Sequence, residues 1–204
     1  MFHFGAMKQR TDKILDVAVE LAEKGGFDNV RQRDVAKQAG VALGTLYKRF
    51  RNKESILVAA LDRESELLER RMEQVPTKGE SPADRVSQFF QIVTKGLVKK
   101  PHYARAVLRA MASGVPEIAG TVSAYYGRMT GLIIAAMRGV GRLSYTDATT
   151  APPSKRESTL ALYLQQMWFA NLVGWAAGMF DANEITAQMK RVAIVLMRGM
   201  EAEK

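Results

Sequence analysis

The stretch VALGTLYKRFRNK (residues 41–53) places a tyrosine, a threonine and four cations on a segment too short to hold a helix by itself. Its pattern is nevertheless helical. With Leu46 as the core-facing reference and about 100° per residue, Phe50 falls at about 40° and Ala42 at about −40°, facing a core. Gly44, Thr45, Tyr47, Lys48 and Arg51 fall on the outward arc, as hydroxyls, cations and bare backbone. The segment before it, RQRDVAKQA (residues 31–39), gives a second short helix with Val35, Ala36 and Ala39 inward. Gly40 between them suits a tight turn, and small Ala36 allows a close crossing, so the pair has the dimensions of a helix-turn-helix.

Outward from this pair the chain reads as helix throughout. Residues 10–24 (RTDKILDVAVELAEK) put Ile14, Ala18, Leu21 and Ala22 on one face, with Thr11 or Asp12 as cap and Gly25-Gly26 as stop. GGFDNV (residues 25–30) is a turn anchored by Phe27 and Val30. A longer helix follows from Glu54 to Glu73, ended by the loop PTKGESP (residues 76–82). Two helices separated by Pro101 are expected over residues 83–100 and 102–113. Another is expected over 117–140, where Gly120, Gly127 and Gly131 weaken the pattern. TDATTAPPS (residues 146–154) reads as a polar, mobile linker, and two last helices span 155–179 and 184–202. The expected fold is all-α: a three-helix helix-turn-helix domain over 8–53 and a larger helical ligand-binding and dimerisation domain over 54–204.

Composition narrows the function classes. The absence of cysteine excludes disulfide frameworks and thiolate chemistry and fits a reducing cytoplasm, the expected location. The longest nearly apolar run, MWFANLVGWAAGMF (residues 167–180), falls short of the roughly 20 residues a span needs. The leader MFHFGAM lacks the basic region and long apolar core of a secretory signal. With only His3 and His102, and no H-E-x-x-H, G-x-S-x-G or phosphate-cradling glycine loop, no catalytic residue, metal site or cofactor is indicated. Turnover that survives loss of Thr45 and Tyr47 would argue for an enzyme.

The net charge of +9 is unevenly placed: residues 31–53 hold seven Lys/Arg against one Asp/Glu. On charge alone a solvated surface is the simpler account. A membrane-surface module would put its cations along one continuous amphipathic helix, whereas here Gly40 breaks them up. Joined to the outward arc above, the cations instead suit a helix lying in a major groove. Gly44 allows close backbone approach, Thr45 suits a phosphate or a thymine methyl, and Tyr47 and Lys53 suit flanking phosphates. Lys48 reaches a base edge or phosphate, and Arg31 the opposite wall.

These residues, AVELAEKGGFDNV and RDVAKQAGVALGTLYKRFRNKESIL with G-x-x-x-G-T-L-Y-x-x-F-x-x-K-E at Gly40 to Glu54, resemble the TetR-type transcriptional repressors. The resemblance implies operator contacts at Leu43, Gly44, Thr45, Tyr47, Lys48 and Lys53. Arg31 departs from the Thr or Ser common at its position. Beyond the first domain the likeness is only in helix number and length.

For the second domain the resemblance implies an effector pocket among the central helices. Candidate lining residues are Phe89, Phe90, Leu97, Met111, Met129, Ile133, Met137, Leu164 and Trp168, since methionine and aromatics suit an adaptable apolar cavity. Taken singly, each is more simply explained as core. Ala170, Gly174 and Gly178, small residues four apart, suit close approach of a partner helix. With Met189, Val192 and Leu196 of the last helix they predict a four-helix homodimer interface. MWFANLVGWAAG, GTLYKRF and ILVAALDRE resemble more narrowly the actinobacterial TetR-type regulators of sterol and lipid catabolism. That implies a coenzyme A thioester effector, with Lys99, Lys100, Arg105 or Arg109 near a cavity mouth.

Overall fold

The computed structural model describes residues 2–143 and 151–201. Within them lie α1 (Phe2–Asn29), α2 (Gln32–Ala39), α3 (Leu43–Arg49), α4 (Lys53–Gln74), α5 (Pro82–Val98) and α6 (Pro101–Met111). A 3-10 turn (Pro116–Ile118) then leads into α7 (Ala119–Arg138), α8 (Lys155–Ala176) and α9 (Ala182–Glu201), and the described residues contain no strand. The expected all-α class is what the chain adopts. Helix α1 starts earlier than its capping residues suggested, and Gly25 and Gly26 leave the helical conformation, at φ/ψ of −151°/22° and 69°/−166°, so its main run stops there as expected and only a short helical turn follows to Asn29. Asn29 Nδ2 donates to the Leu21 carbonyl at 2.9 Å, occupying an acceptor that the kink frees. Of the linker read at 146–154, residues 146–150 lie outside the described residues.

Two compact units form. The first comprises residues 1–64 and 100–125, thus α1 to α3, the first half of α4, α6 and the start of α7. Its core is the buried face of α1 (Ile14, Leu15, Ala18, Ala22), with Val35 and Ala36 of α2, Leu46 of α3, Ile56 and Leu57 of α4, and Tyr103 and Val107 of α6. Arg63 of α4 reaches α1 twice, donating to the Asp12 carbonyl at 3.0 Å and to Asp16 Oδ1 at 2.6 Å. The second unit comprises residues 65–99 and 126–204. Phe89 and Phe90 of α5, Met129 and Ile133 of α7, Leu164 and Trp168 of α8, and Ile185 and Met189 of α9 are all buried there.

Helix starts in the second unit are fixed by short-range chemistry. Ser81 with Asp84, and Ser154 with Glu157, form reciprocal capping boxes at the beginnings of α5 and α8. Arg85 donates to the Ala136 and Met137 carbonyls at 3.1 and 2.6 Å, adding a partner for each of these acceptors near the end of α7. The glycines inside α7 do not break it, because its apolar side (Met129, Leu132, Ile133, Ala136) is buried and the packing outweighs their weak propensity.

Candidate nucleic-acid interface and effector domain

The turn between α2 and α3 is built as the sequence suggested. Gly40 adopts the left-handed conformation (φ 69°, ψ 36°) at the end of α2, with Val41 N–H returning to the Ala36 carbonyl at 3.0 Å. Gln32 Nε2 donates to the Phe50 carbonyl at 2.9 Å and fastens the end of α3 to the beginning of α2. Asn52 and Ser55 cap α4 reciprocally, with Ser55 N–H on Asn52 Oδ1 at 2.8 Å. One inward residue was misplaced: Ala42 is exposed, because it is the extended N-cap of α3 (φ −64°, ψ 138°) and lies outside the helical projection.

With Leu46 and Phe50 buried, the opposite face of α3 is open. Thr45, Tyr47 and Lys48 are exposed, Tyr47 by 46%, enough to leave its ring free of the core. Gly44 is exposed with nothing within 4 Å of a would-be Cβ, so its backbone is approachable, and Leu43 is half-buried beside it. Arg31 is exposed at the N-cap of α2. All six lie in the first unit's helix-turn-helix, five of them exposed and Leu43 half-buried.

Lys53, at the start of α4, is less free. Its ammonium lies 3.9 Å from the Phe27 ring centroid, donates to the Phe27 carbonyl at 3.2 Å and to Asp28 Oδ1 at 3.4 Å. Arg109 of α6 meets the same corner from elsewhere, with Nη1 3.0 Å from Asp28 Oδ2 and its guanidinium 4.3 Å from the Phe27 centroid. The hydrogen bond from Arg109 is the main reason the Asp28 carboxyl sits below the usual carboxylate range, and Lys53 adds to it. Phe27, Asp28 and Arg109 as a set escaped the sequence reading, which took GGFDNV for an apolar turn and Arg109 for a cavity-mouth cation. An acid beside an aromatic was the only local signal, and its cationic partner lies 81 residues away.

In the second unit Phe89, Phe90, Met129, Ile133, Met137, Leu164 and Trp168 are buried. Phe90 packs tilted, at 48° and 5.9 Å between centroids, against Trp168, whose indole N–H donates to Thr94 Oγ1 at 2.9 Å. Leu97 is half-buried, and Met111 belongs to the first unit. Of the small-residue stripe, Ala170 and Gly178 are exposed, while Gly174 faces the Phe180 ring, 2.5 Å from where its Cβ would stand. Met189 is wholly buried, and Val192 and Leu196 are half-buried. These last two line an apolar groove of about 410 Å³ between α8 and α9, with Tyr163, Met167, Val195, Gln166 and Arg191. Among the described residues no acidic, histidine or cysteine cluster suits a metal, and no helix is long and apolar enough to cross a membrane.

Comparison with known proteins bears on the whole chain. The family model for bacterial regulatory proteins of the tetR family matches residues 14–60, and that for the tetracyclin repressor-like C-terminal domain matches residues 79–196. The HTH-type transcriptional repressor KstR of Rhodococcus jostii is 30% identical over 192 residues, covering 94% of this chain and 84% of that protein. A TetR transcriptional regulator from Rhodococcus sp. RHA1 has the same fold, with a TM-score of 0.79 at 24% identity over 93% of this chain and 96% of that one. FadR from Bacillus subtilis, solved with stearoyl-CoA, shares the fold at a TM-score of 0.60 and 19% identity, covering 90% of this chain and 96% of its own. The matched proteins are transcriptional regulators rather than enzymes. By both of its domains, the chain belongs to the TetR family of bacterial regulatory proteins.

Proposed function

We propose that this regulator is a repressor that binds a palindromic operator as a homodimer and responds to a small, largely apolar effector. The observation that carries the proposal is the exposed set on α3, Gly44, Thr45, Tyr47 and Lys48, opposite buried Leu46 and Phe50. An exposed aromatic and hydroxyl amid cations, on a helix anchored by its other face, is suited to major-groove and phosphate contact. Leu43 packs beside them at the helix start, and Arg31 and Lys53 supply flanking phosphate contacts. Residues 8–53 are taken as the DNA-binding head and 54–204 as the effector and dimerisation domain. One recognition helix binds weakly, while two about a helical turn apart read two half-sites, so dimerisation has a physical motive.

For the effector, we favour a lipid- or sterol-derived coenzyme A thioester. The support is the aromatic and methionine-rich interior of α5, α7 and α8, the likeness to KstR, and the stearoyl-CoA bound by FadR. Phe89, Phe90, Leu97, Met129, Ile133, Met137, Leu164 and Trp168 are the proposed chamber residues. An effector acts only through its differential affinity for two states of the protein.

The test is fluorescence anisotropy with the duplex that the wild-type protein selects from a randomised pool, read over a salt series. Combined replacement of Thr45, Tyr47 and Lys48 by alanine should remove sequence-specific binding and leave the weak, steeply salt-dependent residue. Specific binding that survived the triple replacement would overturn the assignment of the recognition face. Adding stearoyl-CoA or lauroyl-CoA to the wild-type complex then tests the effector class. A change in operator affinity supports it, and no change up to the solubility limit of either thioester removes acyl-CoA from consideration.

A further inference from the structure

The corner at Phe27 and Asp28 ties a helix outside the helix-turn-helix to a proposed phosphate contact. Lys53 is held there by a carbonyl, a carboxylate and an aromatic face at once. Holding the ammonium in place reduces the side-chain entropy lost on meeting a phosphate. The same carboxylate, however, competes with that phosphate for the ammonium.

Arg109 acts on this competition. Its contact to Asp28 Oδ2, at 3.0 Å, is shorter than the 3.4 Å contact of Lys53 to Oδ1. Its guanidinium also lies over the Phe27 ring, where planar Arg is better suited than Lys to hold both a carboxylate and an aromatic face. The Asp28 charge is thereby shared between two cations instead of being spent on Lys53 alone. Asp28 and Arg109 are largely exposed, so neither substitution opens the core.

We propose that Arg109 is a positioning residue for operator binding: by holding Asp28 from α6, it leaves Lys53 available to a DNA phosphate. The proposal rests on Lys53 meeting phosphate and so deepens the function given above. Its mechanical consequence is that α6, through one side chain, sets the strength of a contact made by α4. Withdrawing Arg109 hands the whole carboxylate to Lys53.

The experiment is a double-mutant cycle on operator affinity, using the duplex selected by the wild-type protein. It is run at about 0.2 M salt, where the Debye length falls below about 8 Å and the loss of one distant charge counts little. Arg109→Ala should weaken binding on the order of 5-fold and lower the slope of log affinity against log salt by up to about 0.9, the share of one phosphate. Asp28→Asn should bind as tightly as the wild type or more so. In the Asp28→Asn background, Arg109→Ala should change affinity less than about twofold, because its effect runs through Asp28. Arg109→Lys should recover part of the loss. An equal loss from Arg109→Ala in both backgrounds would overturn the proposal, since Arg109 would then touch DNA itself or serve only the fold. Circular dichroism of the double variant tells those two apart. Lys53→Ala separates the layers: if it binds like the wild type, the phosphate role of Lys53 fails. If Lys53→Ala weakens binding while Arg109→Ala does not, only the role of Arg109 fails.

Discussion

Individual residues differ in how far their roles could be read in advance. The outward set on α3 needed only a helical projection about one buried leucine, because a seven-residue helix packed on one side has a single free face. Ala42 escaped because projection assumes a helix, and a cap is not one. The most strongly perturbed acid outside the head was not legible at all. Glu157 Oε1 and Oε2 accept from Arg138 Nε and Nη2 at 2.7 and 2.8 Å, and Oε2 also accepts from Ser154 N–H at 2.8 Å. The hydrogen bond from Arg138, followed by the bonds from Ser154, brings its pKa from 4.5 down to about 2. Because the folded value lies below the unfolded one, the stabilisation is complete above about pH 4.5 and is lost as the pH falls toward 2. For a side chain that is three-quarters buried, the depression corresponds to at most roughly 3 kcal/mol. Glu157→Gln should therefore lower unfolding stability at pH 7 by about 1–3 kcal/mol and narrow that gap as acid is added. Urea titrations at pH 7, 4 and 2.5 check it, and a gap that stayed constant across the three would sink this account of Glu157.

At the scale of elements, helices were legible wherever an apolar stripe was long enough to overrule local propensity. Gly120, Gly127 and Gly131 looked like weaknesses in α7, yet a Cβ at any of them would meet nothing within 4 Å, and the buried face carries the helix. The glycine that matters to this part of the fold lies beyond the helix. A Cβ on Gly141 would stand 2.7 Å from the Glu73 carbonyl oxygen and 2.8 Å from that of Met72, both backbone atoms at the end of α4. Arg142 beside it pairs with Glu73 at 2.7 Å, so the segment after α7 is drawn tightly onto the end of α4. No spacing in the sequence announces a backbone contact between positions so far apart. Two alanine substitutions should then have opposite signs. Gly141→Ala must push two backbones apart and should cost about 1–3 kcal/mol. Gly127→Ala, exposed inside a helix, should gain up to about 1 kcal/mol from propensity. Guanidinium unfolding of both variants decides the matter, and a neutral Gly141→Ala would mean that α4 and the segment after α7 are not held together there.

For the whole molecule, an apolar side of α8 and α9 is left exposed. Leu162, Tyr163, Met167 and Val173 of α8 and Val195 of α9 are exposed, Val195 by 67%, and several of them border the groove that Val192 and Leu196 line. Apolar side chains clustered on two adjacent helices are what a second pair of helices would cover. The small-residue stripe directed attention to this pair of helices but not to the residues at the surface. Gly174 is taken up by Phe180 and Met189 by the interior, and a stripe of apolar residues does not say which members its own fold will bury. The interface proposed from the structure therefore centres on Tyr163, Met167, Val192, Val195 and Leu196, with Ala170 and Gly178 at its margin. Met167→Glu combined with Val195→Glu would place two carboxylates per chain in an apolar interface, where desolvation without a partner is costly. Both positions are exposed within the chain, so the helical circular dichroism of the folded protein should persist. Sedimentation equilibrium should show the mass of one chain in place of two, and operator affinity should fall on the order of 100-fold or more as two half-site contacts become one. A variant that remained a dimer would move the interface away from α8 and α9. One that became a monomer yet kept full operator affinity would leave the groove as an interface but remove dimerisation from the mechanism of DNA reading.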